Sequence, residues 1–304
     1  MSESAAGNAL AAGASDGWVN DDPAPAVSEV FVAGSAWNAN FLNFLGSNNN
    51  ALGESAFGFR ISSGAAQVDE LPWVNLNRFS IRFNEPVNVA VDDLVVRGAA
   101  NATYDINTFN YVADPSANGG AGAWTATWTL LITGVGPEKL LLDLDAGPQG
   151  VSDLNGNALD GEWTNPTADP GSGSNFASGD DVAGGDFQFR INVLPGDVNR
   201  SGGILGNDVN LVKAAQGFAP GEGLYTVFKD VNGSASILGN DVTLVRGRQG
   251  LTLPANEPVA TSSSSTQRTF ESPFASGASI SLPFRTQQSA YHLLMADLEA
   301  PLVA

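Results

Sequence analysis

The chain has 304 residues, 32 acidic against 13 basic side chains, a formal net charge of −19 and no cysteine. The negative charge repels a phosphate backbone and predicts no nucleic-acid partner, and the absence of cysteine excludes disulfides, thiolate catalysis and zinc–cysteine sites. No apolar run approaches the roughly 20 residues that span a bilayer, so we expect no transmembrane segment.

The first elements of the chain are a strand and a short helix. Residues 1–25 are rich in Ala, Gly, Ser and Asp and are interpreted as a flexible lead. The segment "VSEVFVAGSAW", which starts at Val27, predicts a strand. The apolar spacing of "WNANFLNFLGS" predicts a helix that ends at Gly46.

A period of two follows, which is typical of half-buried strands. Apolar and polar residues alternate in "VNLNRFSIRFNEPV" and "AWTATWTLLIT", and "KLLLDLDA" and "GDFQFRINVL" predict further strands. Turn-rich segments such as "DPSANGGAG" separate them. The pattern predicts an antiparallel β-sandwich over residues 26–194. Its predicted core includes Val74, Phe79, Ile81, Phe83, Trp124 and Trp128.

Two features of this region leave an alternative open. Trp124 and Trp128 lie on one face of a predicted strand, where they belong to the core or form a sugar-stacking platform. The segment "DLNGNALD", from Asp153 to Asp160, is either a hairpin turn held by Asn and Asp side chains or a cation site.

The same region resembles the bacterial Ig-like domains of surface proteins. The strand "VNLNRFSIRFNEPV" comes early and the turn "VSDLNGNALDG" comes late, in the order found in those domains. The resemblance implies an Ig-like sandwich.

A repeat of 33 residues follows the sandwich. Aligning residues 197–217 with residues 230–250 gives 14 identical positions of 21. Identity at this level indicates a duplicated structural unit. In each unit an oxygen-rich, glycine-rich loop precedes a short predicted helix, "DVNLVKAAQG" in the first and "DVTLVRGRQG" in the second.

The loop spacing is that of a calcium site. Calcium takes six to eight hard oxygen ligands, and a loop that turns around the ion directs alternate side chains inward, with a backbone carbonyl at position 7. The apolar residues at position 8, Ile204 and Ile237, are expected to pair across the two loops. The predicted ligands at positions 1, 3, 5, 7 and 12 are Asp197, Asn199, Ser201, Gly203 and Asp208, and Asp230, Asn232, Ser234, Ser236 and Asp241.

The pair of units resembles a type I dockerin. The resemblance covers residues 196–250 and implies two loop–helix units in an F-hand arrangement that need calcium to fold. It also implies recognition of a cohesin-like protein through loop positions 10 and 11 and a basic residue in the following helix. Those positions are Gly206, Asn207 and Lys213, and Gly239, Asn240 and Arg246.

The loops depart from the dockerin pattern at three positions. Position 5 is Ser in both loops and position 9 is Leu, so each loop offers two carboxylates and we expect micromolar-to-millimolar affinity. Position 6 is Gly202 in the first loop but Ala235 in the second, where a positive φ costs about 1 kcal/mol. The first loop is therefore predicted to bind calcium more tightly.

No catalytic signature emerges from the sequence. The acid pairs Asp92/Asp93 and Asp143/Asp145 are candidates for the two carboxylates of a glycosidase, but closely spaced carboxylates in strands usually mark a solvated face, and we interpret them so. The single histidine, His292, has no nucleophile signature near it, so a catalytic triad is not predicted. We therefore predict that the chain is not an enzyme.

The sequence predicts a flexible lead (1–25), an Ig-like β-sandwich (26–194), a dockerin-like calcium-binding pair (195–251) and a linker with a C-terminal tail (252–304). The N-terminus lacks the features of a signal peptide, and we interpret the chain as part of a longer exported protein, extracellular or at the cell surface. The predicted function is non-catalytic attachment to a cohesin-like or other cell-surface protein. The alternatives are a carbohydrate-binding or adhesive sandwich, with a glycan as partner, and an accessory C-terminal part of a secreted polysaccharide-degrading enzyme.

Overall fold

The computed structural model describes residues 23–47, 52–116, 122–167 and 171–260. All of them belong to one unit of the chain that extends to Thr261. Most of the predicted lead, and the tail from residue 261 onward with His292, lie outside the described residues.

Eleven strands and three α-helices form the described part of the chain. The strands are β1 Val27–Ala33, β2 Gly53–Glu54, β3 Gly58–Arg60, β4 Arg78–Phe83, β5 Val87–Asn88, β6 Leu94–Gly98, β7 Ile106–Asp114, β8 Ala123–Leu130, β9 Glu138–Leu144, β10 Ser152–Asp153 and β11 Phe187–Val193. The α-helices are α1 Ala39–Leu45, α2 Gly206–Ala214 and α3 Gly239–Arg246, and there are 3-10 turns at Gly64–Val68 and Val91–Asp93. Among the described residues, no helix has the length and hydrophobicity that crossing a membrane requires.

The strands form three antiparallel sheets. The largest has the order β2-β3-β1-β4-β8-β7, a second has the order β11-β9-β6, and β10 pairs with β5. Every pairing between these strands is antiparallel. The prediction of a mainly β fold with antiparallel sheets is confirmed.

The alternation of apolar and polar residues determines which side chains of the large sheet are buried in the core. In the β4–β8 pair, Phe79 lies opposite Trp128 and Ile81 opposite Ala126, and all four side chains are buried. Phe83 is also buried, whereas Val74 and Trp124 are partly buried and pack against the core. Because Trp128 is fully buried and donates its Nε1–H to the Val91 carbonyl at 3.1 Å, it cannot stack on a sugar.

Helix α1 follows β1, and Gly46 closes its C-terminal end as the sequence predicts. The Asn38 side chain accepts a hydrogen bond from the Asn40 N–H at 2.8 Å, which is a typical N-cap. At the other end, the Gly46 N–H donates to the Leu42 carbonyl. Phe41 and Leu45 are buried, so this face of the helix packs into the hydrophobic core.

One hydrophobic core runs through both the β-rich part of the chain (residues 26–194) and the pair of loop–helix units (residues 195–251, called the pair below). The ring of Trp73 is fully buried and lies 5.1 Å from Phe59 and 5.7 Å from Phe228 of the pair. Its Nε1–H donates to the Val227 carbonyl at 3.1 Å. The predicted boundary at residues 194/195 therefore lies within a continuous core, and whether residues 26–194 fold alone stays a prediction.

The chain after the pair returns to the three-stranded sheet. Glu257 forms ion pairs with Lys139 of β9, at 2.6 Å, and with Arg190 of β11. The start of the predicted linker is thus attached to the β-rich part.

We predict that Trp73→Ala lowers the free energy of unfolding by about 3–5 kcal/mol, because it leaves a large cavity where the sheet region meets the pair. Urea denaturation measures this change. Leu154→Ala, at a side chain that is 68 % exposed, is the control and changes stability by less than about 0.5 kcal/mol. An equally small effect of Trp73→Ala would show that the shared core contributes little.

Candidate metal centre

The first loop buries the two carboxylates at its ends. Asp197 is fully buried, and its two oxygens accept hydrogen bonds from the N–H groups of Ser201 at 3.1 Å and Gly202 at 2.8 Å. Asp208 is also fully buried. Its Oδ1 accepts from Val198 N–H at 3.1 Å, and its Oδ2 accepts from Leu205 N–H at 2.9 Å. The loop therefore curls around its own carboxylates.

The second loop brings four of its predicted ligands together. The Asp230 Oδ1 and the Asn232 Oδ1 both accept a hydrogen bond from the Ser234 N–H, at 2.9 Å and 3.0 Å. The Ser234 hydroxyl lies 3.5 Å from the same Asp230 oxygen and donates to the Ser236 carbonyl at 2.9 Å. Oxygens from positions 1, 3, 5 and 7 thus lie side by side.

Asp241 closes the second loop with an unpaired oxygen. The residue is fully buried, and its Oδ2 accepts the Leu238 N–H at 2.8 Å. Its Oδ1 is buried and accepts no hydrogen bond; the N–H groups of Val231 and Asn232 are near enough to favour its charge without reaching hydrogen-bond geometry. A buried charged oxygen without a partner is costly, and a bound cation satisfies it.

The backbone has the same conformation in both loops. Position 4 has a positive φ, 58° at Arg200 and 64° at Gly233, and so does position 6, 84° at Gly202 and 67° at Ala235. The predicted strain at Ala235 is present, but the first loop carries a similar strain at Arg200, which the sequence did not indicate. Each loop holds one non-glycine residue in the left-handed region, so the backbone gives no reason to rank them.

Burial makes the loop carboxylates resist ionisation. Burial raises the pKa of Asp230 to about 6, and the charge of Asp241 adds to the effect. Burial likewise raises the pKa of Asp197, with a further contribution from Asp208, and raises the pKa of Asp241. The charged form of these groups is therefore disfavoured in the folded protein, and a nearby positive charge would stabilise it.

The position-8 residues join each loop to the other unit. Ile204 and Ile237 are fully buried, as expected. Their pairing with each other across the two loops stays a prediction. Ile204 exchanges hydrogen bonds of 3.1 and 2.8 Å with residues 250–251, and Ile237 exchanges bonds of 3.0 and 2.7 Å with residues 217–218. Each loop is therefore fastened to the segment that follows the helix of the other unit.

The predicted partner-binding residues all lie at the surface. They are Gly206, Asn207, Lys213, Gly239, Asn240 and Arg246, and each is exposed. Leu205 and Leu238, which precede the two helices, are 56 % and 47 % exposed. The helix starts thus present two similar exposed surfaces, and binding of a partner there stays a prediction.

The segment "DLNGNALD" forms a turn. The Asp153 Oδ1 accepts hydrogen bonds from the N–H groups of Asn155 at 2.9 Å and Asn157 at 2.7 Å, and these bonds lower its pKa despite burial. The turn interpretation fits this geometry. The candidate acids Asp143 and Asp145 also have structural partners: Asp143 pairs with Arg97 at 2.8 Å, and Asp145 accepts a nearby N–H.

The structure also contains an acidic cluster outside the two loops, which the sequence did not predict. Carboxylate oxygens of Asp160, Glu162 and Asp180 lie within 4.8 Å of one another. The Asp160 oxygens already accept the N–H groups of Asp180 and Asp181, both at 2.9 Å. Spacing along the sequence could not have predicted this cluster, because a separate loop brings Asp180 to the other two residues.

Comparison with known proteins does not assign the chain. No family model and no curated protein matches it. Among solved structures, the N-terminal part of the bacterial S-layer protein SbsC is similar at a TM-score of 0.17 and 12 % identity, over 38 % of this chain and 41 % of that one. The match spans less than half of either protein, and at this TM-score it identifies neither a fold nor a function.

We predict that Asp230→Asn stabilises the metal-free protein at pH 7. The folded-state pKa of Asp230, about 6, is above its unfolded value. The contribution of Asp230 to stability is therefore fully present below about pH 4 and is lost as the pH rises through 6. The amide mimics the protonated acid, so the expected gain at pH 7 is about 3 kcal/mol, and it becomes small near pH 4.

Urea denaturation in a chelator across this pH range measures the difference. Asp92→Asn, at an exposed carboxylate, is the control and should follow the wild type. A stability difference that does not depend on pH would contradict the assignment of the effect to Asp230.

Proposed function

We propose that the chain is a non-catalytic extracellular or cell-surface protein whose residues 195–251 bind two calcium ions, one in each loop. The observation that supports this most directly is the buried Oδ1 of Asp241, which has no hydrogen-bond partner. A fully buried carboxylate with one unpaired oxygen, in a loop of further oxygens, is the arrangement that a cation stabilises.

The ligand chemistry favours calcium among the common metals. The predicted ligands are carboxylate, amide, hydroxyl and carbonyl oxygens, and the chain has no cysteine. Such hard oxygen sets suit calcium and magnesium rather than zinc or copper. Each loop offers five oxygen-bearing positions of mixed type, and calcium, which takes six to eight oxygens in variable geometry, suits this better than magnesium. Water completes the coordination.

Calcium has an electrostatic role in this proposal. The four aspartates at the loop ends are fully buried, and repulsion within each pair opposes ionisation. A divalent cation in each loop offsets this repulsion, so metal binding and folding of the pair are coupled.

Attachment to another protein is the second part of the proposal. The six exposed residues at the helix starts and in the helices, together with the resemblance to dockerins, support a cohesin-like protein as the partner. The β-rich part then acts as an Ig-like spacer. Three acids that the sequence suggested as candidate sites have structural partners instead: Asp143 forms an ion pair, and Asp145 and Asp153 accept hydrogen bonds within turns. These contacts support a non-catalytic role.

We predict that the full chain binds two calcium ions in a calorimetric titration, with micromolar-to-millimolar affinity. Asp241→Ala is expected to abolish binding at the second loop and Asp197→Ala binding at the first, each leaving one ion bound. Asp92→Ala removes the same charge from an exposed position and is the control, with two ions bound as in the wild type.

The absence of any heat at millimolar calcium would contradict the calcium proposal. Surface plasmon resonance with an immobilised cohesin domain then tests attachment in the calcium-loaded protein. The expected result is binding that Lys213→Glu with Arg246→Glu removes. If the protein binds calcium but no cohesin domain, the proposed metal site stands and the proposed cohesin-like partner is wrong.

A further inference from the structure

The backbone of the second loop is fastened to the β-rich part of the protein. Three consecutive carbonyls, those of residues 231–233, accept hydrogen bonds from Val74 N–H at 2.9 Å, Asn75 Nδ2 at 2.8 Å and Asn38 N–H at 2.8 Å. These carbonyls belong to loop positions 2, 3 and 4, which include the predicted ligand Asn232 and its two neighbours. The shape of this loop therefore depends on residues more than 150 positions away in the sequence.

The donors on the β-rich side are themselves held in place. The Asn75 Oδ1 accepts a hydrogen bond from Trp37 Nε1 at 2.8 Å, which fixes the orientation of the amide. Trp37 also lies directly against Gly233, where a Cβ atom would come within 2.5 Å of its ring. Glycine at loop position 4 thus permits the close contact between the loop and this tryptophan.

The first ligand of the second loop has an additional partner. The Tyr225 hydroxyl donates to the Asp230 Oδ2 at 3.0 Å, in a buried position. The Tyr225 ring packs edge-on against Phe44 of α1, with the ring centroids 5.3 Å apart. Helix α1 therefore orients the Asp230 carboxylate through Tyr225.

The first loop meets the β-rich part differently. At its position 4, Arg200 forms an ion pair of 2.6 Å with Asp69 and lies over the Phe228 ring. Both partners of this ion pair are partly exposed, with 25 % and 46 % of the side-chain surface accessible. Because exposed ion pairs contribute little, this contact constrains the first loop less than the three hydrogen bonds to backbone carbonyls constrain the second.

We propose that α1 and residues 74–75 form a scaffold for the second calcium loop, with Asn75 and Tyr225 as positioning residues for its ligands. This inference rests on the proposed calcium function and deepens it. Preorganisation by the scaffold makes the second loop the tighter site, the reverse of the order that the sequence indicates from Ala235. By linkage, calcium in the second loop also strengthens the contact between the pair and the β-rich part.

The test isolates each loop in the full chain. Asp197→Ala leaves the second loop to be titrated with calcium, and Asp230→Ala leaves the first. Asn75→Ala is then added to each background. In the first background the calcium dissociation constant is expected to rise about tenfold, a typical coupling, whereas in the second it is expected to stay unchanged.

Tyr225→Phe is a milder second variant, since it keeps the ring and removes only the hydroxyl that contacts Asp230. It is expected to weaken the second loop selectively as well. Tyr111→Phe is its matched control, because the Tyr111 hydroxyl accepts the Val87 N–H in another part of the protein. This control is expected to bind calcium like its parent.

The outcomes separate the two proposals. Calcium binding that Asn75→Ala and Tyr225→Phe leave unchanged, or weaken equally in both loops, overturns the scaffold inference and leaves the calcium function standing. If neither the wild type nor the Asp197→Ala and Asp230→Ala variants bind calcium, the calcium function and the scaffold inference are both overturned.

Discussion

Four buried aspartates, whose hydrogen-bond partners include no basic side chain, set the main electrostatic constraint in this protein. Each lies at the first or last position of a loop and is fully buried. Most of their oxygens are satisfied by backbone N–H groups, which is why the loops curl tightly, but these dipoles leave the net negative charge in place. The raised pKa values of Asp197, Asp230 and Asp241 express that imbalance. A cation in each loop is the most direct way to remove it.

The contact between the helical pair and the β-rich part gives this electrostatic constraint a wider effect. Trp73 joins the two sides through its ring and through a hydrogen bond to the Val227 carbonyl. A few residues after Val227 the chain enters the second loop, where the carbonyls of Val231 and Asn232 accept hydrogen bonds from Val74 and Asn75. Because Val227 and Phe228 lie just before Asp230 in the chain, we expect a change in the charge of the second loop to affect the contact with Trp73.

Part of this architecture follows from the sequence, and the reasons are local. Alternation in β4 and β8 placed Phe79 and Trp128 in the core, and the 33-residue repeat placed both loops, because strand faces and loop register depend on neighbouring residues. The scaffold of the second loop could not be found in this way: Asn75 and Asn232 are 157 residues apart. The strain at Arg200 was also missed, because a positive φ at a residue other than glycine is decided by the surrounding loop and not by the residue itself.

The most direct test of the central claim is a crystal structure of the full chain grown with calcium, with the metal located by anomalous scattering. Two peaks are expected, one in each loop, with oxygens of the first and last aspartates at about 2.3–2.6 Å from the metal. In the second loop the Asp241 Oδ1 is expected among the ligands. Loops without a peak, or a single peak at the Asp160–Glu162–Asp180 cluster, would contradict the account.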